Sequence, residues 1–496
     1  MVLLLPLFIP LAGALFVFLC REPRVVVRAA LTTGALQLAA ISLTVYKIHS
    51  QGVLTAGRYL RADGLTSFFL ISLGLISALV LVYSSGYLRH VPEGRFSSLR
   101  WFYGLVFLFL FTMVAVYLSA NLGMMWIFVE ATTLASALLV GFYNTEGAVE
   151  AGWKYLIVCT VGIAFALFGT IVLYLAAVKG GVSPQSALDW GTLMAAAPDL
   201  VGERELLKLA FVFVAVGYGT KVGFVPMHSW LPDAHAEAPS PISALLSAVL
   251  LNCAMYALLR FDAITSRAIG SGFSHTLLLI FGGVSLAVAS LLMIVQRDLK
   301  RLLAYSSIEH MGIVAIGIGL GGALGLFGAL LHTFNHSIAK TLLFFTAGNV
   351  RENFGTLRME RIRGMARSLP WTGSALILGA LAITGMPPFG LFVSELLILT
   401  AAFSTAHYFI AVLMLAAISV VFGALLHHFQ YMLMGKPEDV PVQQPALQAS
   451  WFVVMGVCTL CLLALGIHVP AAFAAVLRGA MAVLQPAVLQ PAVLQP

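Results

Sequence analysis

The sequence has few charged residues. Asp, Glu, Lys and Arg make up only 9% of its 496 residues, whereas 60% are hydrophobic and the mean hydropathy is +0.99. In ordinary soluble proteins about a quarter of the residues are charged, and they cover the surface that faces water. The composition therefore excludes a soluble globular protein and favours a protein embedded in a membrane.

Cysteine is also scarce. The five cysteines, Cys20, Cys159, Cys253, Cys458 and Cys461, all fall in apolar stretches. Cys458 and Cys461 have the Cys-x-x-Cys spacing of redox or zinc pairs, but they lack a second pair or a nearby histidine, which favours small hydrophobic residues of a helix. The sequence offers no means of holding an iron–sulfur cluster, and we expect no cofactor and no metal.

No polar segment is long enough to suggest a soluble domain. A membrane-spanning helix needs about 20 apolar residues. Roughly fourteen such stretches begin near residues 2, 29, 63, 101, 120, 153, 207, 238, 275, 301, 324, 372, 405 and 451. The first lacks a basic region and a cleavage site, so we expect a helix rather than a signal peptide. The sequence predicts an all-α polytopic membrane protein with about fourteen transmembrane helices.

The chain divides into four parts. N-terminal transmembrane helices (1–119) precede a core (120–400) that contains most of the unusual polar residues, and further transmembrane helices (401–481) follow it. The last part (482–496) consists of three copies of Ala-Val-Leu-Gln-Pro. Proline at every fifth position forbids a continuing helix, so we predict a disordered tail without function.

The net charge of +7 does not indicate nucleic-acid binding, because the basic residues stand singly in short loops. With fourteen spans, sixteen Lys and Arg residues lie in loops on one side, nine lie on the other, and Lys221 and Lys340 lie within spans. Basic residues accumulate on the cytoplasmic side of membrane proteins. This bias predicts that both termini lie on the non-cytoplasmic face.

Lys221 and Glu130 are ionisable residues in otherwise apolar spans. A lysine at the centre of a membrane helix costs about 2.5–3.5 kcal/mol on insertion scales, so such residues usually have a function and a partner. A Glu130–Lys221 pair can act as a proton switch, since an adjacent ammonium lowers the proton affinity of a carboxylate. Two alternatives remain: a static ion pair that fixes helix packing, and a neutral, hydrogen-bonded Glu130.

His332, His336 and Lys340 follow one another at four-residue spacing, which places them along one face of a helix over about 12 Å. Histidine exchanges protons near neutral pH, so this stripe indicates a proton relay. Structural histidines are one alternative. Zinc binding is another, but no carboxylate or cysteine lies nearby in the sequence to complete a tetrahedral site.

Prolines interrupt two of the polar spans. Pro226, Pro232, Pro239 and Pro241 follow Lys221, and Pro387-Pro388 precedes Glu395, a candidate exit carboxylate. Broken helices at membrane depth occur where the freed backbone faces protein or a water-filled cavity. Both breaks adjoin an intramembrane charge, which favours a hydrated path. Glu309 and His310 are either accessory groups of this path or surface residues.

Several motifs resemble those of one family. Gly217–Ala244, which contains Lys221 and His228, and the Arg297-Asp-Leu-Lys-Arg segment with His310-Met-Gly are similar to the antiporter-like membrane subunits of complex I and its relatives. Within this group, Val129-Glu130-Ala-Thr-Thr and Ser306-Ser-Ile-Glu-His most resemble the hydrogenase-4 component F type.

The resemblance implies two inverted five-helix repeats and roles for individual residues. Glu130 and Lys221 would form the input pair, the central relay would pass through His332 and His336, and Glu395 would end the path. The respiratory relatives commonly carry a lysine where this chain has Asn252. An amide carries no proton as a charge but can hydrogen-bond a water bridge, so Asn252 is an accessory candidate. His228, which lies in the same motif as Lys221, is another.

The resemblance also implies a function and partners. The chain would be a proton-translocating subunit, without a redox centre, of an NADH:quinone oxidoreductase-like or group 4 hydrogenase/formate hydrogenlyase-like complex in a bacterial or archaeal cell membrane. Its partners would be other membrane subunits and a peripheral hydrogenase-like or quinone-reductase arm. The alternatives are a component of a multisubunit sodium/proton antiporter and a membrane scaffold without transport.

Overall fold

The structure is a computed structural model that describes residues 1–88, 99–435 and 449–485. Apart from one β-hairpin, the regular structure of these residues is helical. The hairpin pairs β1 (Leu54–Ala56) with β2 (Leu60–Ala62). The α-helices are α1 (Leu5–Leu19), α2 (Pro23–Gln51), α3 (Gly64–Tyr87), α4 (Leu99–Leu118), α5 (Leu122–Val140), α6 (Glu146–Lys179), α7 (Trp190–Ala196), α8 (Arg204–Val222), α9 (Trp230–Glu237), α10 (Ser240–Leu245), α11 (Leu251–Ile269), α12 (Gly272–Ile294), α13 (Leu299–Leu320), α14 (Gly322–Phe354), α15 (Met365–Ser368), α16 (Pro370–Ile383), α17 (Gly390–Ser404), α18 (Tyr408–Leu433), α19 (Ala449–Ile467) and α20 (Ala471–Leu484).

Short helical segments of other types complete the chain. Val2–Leu4, Ala197–Glu203 and Met359–Arg361 are 3₁₀ turns, and Leu246–Leu250 is a π-helical segment between α10 and α11. Helix α20 continues to Leu484, so the predicted disordered tail does not begin at residue 482. The reason is that its first proline is Pro486, and a helix can run up to the residues before a proline. The remainder of the tail lies outside the described residues.

The all-α polytopic membrane fold is confirmed. Eleven helices of the described residues are long and apolar enough to cross a membrane, and α16, α17 and α20 are shorter apolar helices. Helices α8 and α14 are not among the eleven, although they carry Lys221 and the histidine stripe. The number of about fourteen spans and the inverted repeat stay predictions.

The polar helices lie at the centre of the bundle. The most apolar 18 residues of Ser240–Ile269, a range that includes α10 and α11, are all buried, and the corresponding stretch of α13 is nearly so. Helices α1, α18 and α19 are only one-third buried and face outward. The buried face of α14 packs against α13, α16 and α17. The protein interior thus surrounds the helices that carry most of the ionisable residues.

Two helices are broken where the prolines predict. Helix α8 ends at Gly223, whose φ of +90° is left-handed, and α9 resumes at Trp230. Helix α16 ends before Gly385, which has a φ of +63°, and α17 begins at Gly390. Glycine adopts this backbone conformation without the steric cost of a side chain. Lys221 lies in the last turn before the first break, and Glu395 lies in the second turn after the other.

The two ends of the described chain lie on one face of the bundle. We call this the hairpin face, because Val2–Leu4 packs against β1 and β2 there. The C-terminal end of the described chain lies on this face because the backbone N–H of Gly322 donates to the side chain of Gln485 (3.3 Å). The neighbouring Gly321 lies beside His275. His275 in turn pairs with Asp262 on α11 (3.8 Å). The opposite, arginine face carries Arg297 and Arg301 at the start of α13. That the hairpin face is non-cytoplasmic stays a prediction.

Two basic residues that the sequence assigns to loops are buried instead. Arg260 lies inside α11 with 4% of its surface exposed, and its guanidinium forms two hydrogen bonds of 2.7 Å to the carboxylate of Asp63. Lys300 lies in the first turn of α13, is fully buried, and donates to the carbonyl of Ala238. The loop assignment was wrong for both residues, because hydropathy along the chain does not show a partner that lies far away in sequence.

Candidate functional site

Lys221 is fully buried at the end of α8. Its ammonium donates to the carbonyl of Val129 (3.1 Å) and to the hydroxyl of Thr133, both on α5. The ring of Tyr155 on α6 lies 5.9 Å from Nζ, within the range of a cation–π contact. Helices α5 and α6 thus supply the polar surroundings that a buried ammonium needs.

Glu130 lies beside Lys221 but does not touch it. Its carboxylate accepts hydrogen bonds from Thr160 on α6 (2.7 Å) and from Thr133 (3.3 Å), and no ion pair joins it to Lys221 in the described part of the chain. A threonine hydroxyl can accept one hydrogen bond while it donates another. Thr133 therefore forms a bridge that runs from the Lys221 ammonium through its hydroxyl to the Glu130 carboxylate.

Asn252 connects α11 with α14. Its amide nitrogen donates to the Ala248 carbonyl (2.7 Å) and to the Ser337 hydroxyl (3.0 Å), and Ser337 also donates to the Ala248 carbonyl (2.7 Å). Ala248 lies in the π-helical segment, a type of irregularity that is frequent at functional sites. Over the described ranges, no hydrogen bond joins Asn252 to Lys221.

His310 and His332 form a hydrogen-bonded pair between α13 and α14. His310 Nδ1 lies 2.9 Å from His332 Nε2, and His332 Nδ1 lies 3.0 Å from the Ser394 hydroxyl on α17. Ser394 already donates its only hydrogen to the Leu391 carbonyl (2.8 Å), so it accepts from His332 Nδ1. Neutral His332 therefore has its lone pair on Nε2, where it accepts the hydrogen of His310.

Glu309 continues this row of groups. Its Oε2 lies 3.3 Å from His310 Nε2. The two atoms do not meet the geometry of a hydrogen bond, but one of them must carry a proton, because an unprotonated imidazole nitrogen and a carboxylate oxygen would repel each other. Both residues are about 1% exposed, so they are interior groups and not surface residues. Lys340, within electrostatic range of Glu309, is fully buried and donates to the Leu303 carbonyl (2.7 Å).

His336 and Glu395 complete the central group. The His336 ring lies 5.2 Å from that of His310, and Glu395 keeps 7% of its surface exposed. One ligand atom each of His310, His332 and Glu395 lie within 4.8 Å of one another. The Glu395 carboxylate lies beside Gly385, in the gap of the broken helix. His228 is only half-buried, and it forms no hydrogen bond to any other candidate residue in the described ranges.

Some polar atoms at the centre of the bundle have no protein partner. Within the described residues, both ring nitrogens of His336, the amide group of Asn335 and the side-chain oxygen of Asn252 are buried without a hydrogen bond. Buried polar groups in folded proteins are almost always satisfied, either by protein or by ordered water. Water can therefore link the hydrogen-bonded groups on α11, α13 and α14.

Sequence reasoning missed two residues of this region. His235 on α9 is fully buried, its ring stacks on that of Phe344 at 4.9 Å, and both its nitrogens lack a partner among the described residues. Lys300 was counted as a loop residue. Phe344 follows Lys340 at the same four-residue spacing as the histidine stripe, so the stripe continues along α14 toward the arginine face. This spacing was the signal that could have indicated that the polar site extends in that direction.

A comparison with known protein families identifies the family of this chain. A family model described as NADH:quinone oxidoreductase/Mrp antiporter, TM, matches residues 119–423, which include every candidate residue named above. The chain belongs to this family. The resemblance recognised in the sequence motifs is thereby confirmed.

Individual relatives cover most of the chain. It is 38% identical to a hydrogenase-4 component F homolog of Methylacidiphilum infernorum over 84% of this chain and 86% of the relative. It is 32% identical to NADH-quinone oxidoreductase subunit N of Desulforudis audaxviator, over 72% of this chain and 69% of the relative. A chain of an archaeal membrane-bound sulfane sulfur reductase complex shares the fold, with a TM-score of 0.86, 22% identity and 97% coverage of both chains.

Proposed function

We propose that the chain is a proton-translocating membrane subunit of a multisubunit complex of the NADH:quinone oxidoreductase-like or group 4 hydrogenase type. Its family membership and its hydrogenase-4 and NADH-quinone oxidoreductase relatives support this assignment. Its partners are then other membrane subunits of that complex and a peripheral redox arm. The complex lies in a bacterial or archaeal cell membrane, with both termini of this chain on the non-cytoplasmic side.

One observation carries the proposal: the row of buried groups from Glu309 through His310 and His332 to Ser394, with Glu395 beside it. Imidazoles that hydrogen-bond to each other pass a proton by exchanging donor and acceptor roles. Sodium prefers a shell of oxygen ligands, as other hard cations do. The nitrogen-rich centre of the path therefore favours proton transport over the sodium alternative.

Through the Thr133 bridge, the position of Lys221 controls whether a proton enters this path. When the Lys221 ammonium binds Thr133, the hydroxyl hydrogen points at Glu130 and stabilises its ionised form. When Lys221 moves away, burial favours the uncharged amine and its proton leaves toward the relay. A membrane potential of 100 mV changes the energy of one transferred charge by about 2.3 kcal/mol. That energy corresponds to a change of roughly two units in proton affinity.

Replacing Thr133 with valine tests the bridge. Valine keeps the shape but removes the hydroxyl, and a hydrogen bond to a charged group contributes about 1.5–3 kcal/mol. We expect proton uptake into vesicles by the complex containing this chain, in sodium-free buffer, to slow by about tenfold to hundredfold.

Thr132→Val is the matched control, because within the described residues the Thr132 hydroxyl donates only to the Val129 carbonyl (2.6 Å) and makes no bond to Lys221 or Glu130. The neighbouring Ser136 binds the backbone carbonyl of Thr132, which valine keeps. We expect this variant to transport protons at the wild-type rate. Equal losses in both variants, or wild-type transport that requires sodium, would contradict the proposal.

A further inference from the structure

We infer that His310, His332 and Glu395 form a binding site for a transition-metal divalent cation of the zinc class, and that a bound ion blocks the proton path. The ligand atoms of the three residues lie within 4.8 Å of one another, although the residues belong to three different helices. Two histidines and one glutamate are the ligand set of many zinc sites with an open fourth position. The second part of the inference, blocking, rests on the proposed function.

The surroundings of both histidines are those of metal ligands. A metal-bound histidine usually donates its second ring N–H to a carboxylate or another oxygen, which fixes the ring orientation. His332 Nδ1 donates to Ser394 (3.0 Å), so its Nε2 lone pair faces the cluster. His310 Nε2 lies 3.3 Å from the Glu309 carboxylate, so its Nδ1 can serve as the ligand once its hydrogen leaves.

A metal ion would replace a proton at this position. Without a metal ion, one hydrogen lies between His310 Nδ1 and His332 Nε2, which are 2.9 Å apart. Zinc–nitrogen bonds are about 2.0–2.1 Å long, so ligand atoms around one ion lie roughly 3–3.5 Å apart. Small rotations of the two rings and of the Glu395 side chain meet this requirement. The proton of His310 Nδ1 is released, and the proton carried by Glu309 or His310 Nε2 then resides on Nε2, so that the metal-bound ring is neutral.

We expect the ion to reach the cluster from the side of Glu395, which is the least buried of the three ligands. Glu395 retains 7% exposure, whereas His310 and His332 are 1% and 0% exposed. Its carboxylate lies in the gap between α16 and α17, beside Gly385. The sequence argument against zinc was that no carboxylate lies near the histidines along the chain. The fold removes this objection, because the broken helix brings Glu395 to them and His310 takes the place expected for His336.

Cobalt(II) is a suitable probe, because its visible absorption reports a site of nitrogen and oxygen ligands. Titration of the purified full-length chain in detergent should give one bound Co²⁺ per chain, which Zn²⁺ displaces and Mg²⁺ does not. The single variants His310→Asn, His332→Asn and Glu395→Gln should each lose the absorption band. Glu309→Gln, which changes a positioning residue, should keep the band and bind about 10- to 100-fold more weakly.

His336→Asn is the matched control, since His336 lies on the same stripe but outside the cluster. It should bind Co²⁺ like the wild type. No stable binding would overturn the site. Binding that survives the three ligand variants would also overturn it and would indicate surface histidines. Zn²⁺ should also stop proton uptake by the complex in vesicles. If Co²⁺ binds as described but the chain moves no protons, the site stands and the proposed function is wrong.

Discussion

Lys221→Met is expected to abolish proton translocation while the protein still assembles. Methionine has a similar length and no charge, so it removes the buried ammonium that binds Thr133 and leaves the packing of α5, α6 and α8 in place. General acid–base groups contribute about a hundredfold or more to proton-transfer rates. We expect proton uptake per electron transferred to fall to about a hundredth or less, measured on the complex in vesicles.

Two further variants make this test specific. Lys208→Met changes a lysine on the same helix that is partly exposed and pairs with Glu205 at 2.7 Å, and we expect normal coupling. Lys221→Arg keeps a positive charge but cannot release its proton, because arginine stays protonated in proteins. We therefore expect Lys221→Arg to lose coupling as Lys221→Met does. If Lys221 only fixes helix packing, as the scaffold alternative requires, Lys221→Arg would retain coupling and Lys221→Met would lose assembly.

Asp63→Ala is expected to have the largest effect on stability. The Asp63 carboxylate caps α3 through the Thr66 N–H (3.2 Å) and accepts hydrogen bonds from both terminal nitrogens of the Arg260 guanidinium, which also lies 4.5 Å from the Trp190 ring. Removing one partner of a buried ion pair leaves the other charge uncompensated and costs about 3–5 kcal/mol. Thermal unfolding in detergent should show a markedly lower midpoint.

The control for this prediction is Arg61→Ala. Arg61 approaches the same carboxylate at 3.9 Å but is partly exposed, and such pairs contribute about 0–1 kcal/mol. If both variants unfolded at the same temperature, the Arg260 pair would not be a main source of stability.

The same pair predicts how stability depends on pH. Burial by itself would raise the pKa of the Asp63 carboxyl, but the charge and hydrogen bonds of Arg260, with smaller contributions from Thr66 and Arg61, hold it below its usual value. A carboxyl group with a lowered pKa stabilises the fold above the unfolded-state value of about 3.9. This stabilisation is lost as the pH falls through the folded-state pKa. The difference in unfolding free energy between the wild type and Asp63→Ala should therefore become small only at acid pH.

The sequence contains enough information to predict the membrane class, the two broken helices and the position of Lys221 inside the bundle. Long apolar stretches, prolines inside them and single buried charges are local signals. The structure places Glu130 near Lys221, but it inserts Thr133 between them. A pattern of charges in the sequence cannot show such a bridge, because it depends on how α5 and α8 pack.

Other parts of the site depend on contacts between distant residues. The Arg260–Asp63 pair joins residues almost two hundred positions apart, and the spacing of charges along the chain does not show it. Glu309 and His310 could have been surface groups by sequence alone, whereas the packing of α13 against α14 and α17 buries them. The sequence predicts the broken helix that carries Glu395, but it does not show which residues lie beside Glu395.

Proton uptake per electron transferred by the Glu130→Gln variant is the most direct test of the central claim. Glutamine keeps the size of the side chain and can still bond Thr160 and Thr133, but it cannot ionise. If Glu130 and Lys221 act as one unit across Thr133, the variant assembles, transfers electrons and moves no protons, and adding Lys221→Met causes no further loss. A Glu130→Gln complex that moves protons at the wild-type ratio would show that the pair is structural and would contradict this account.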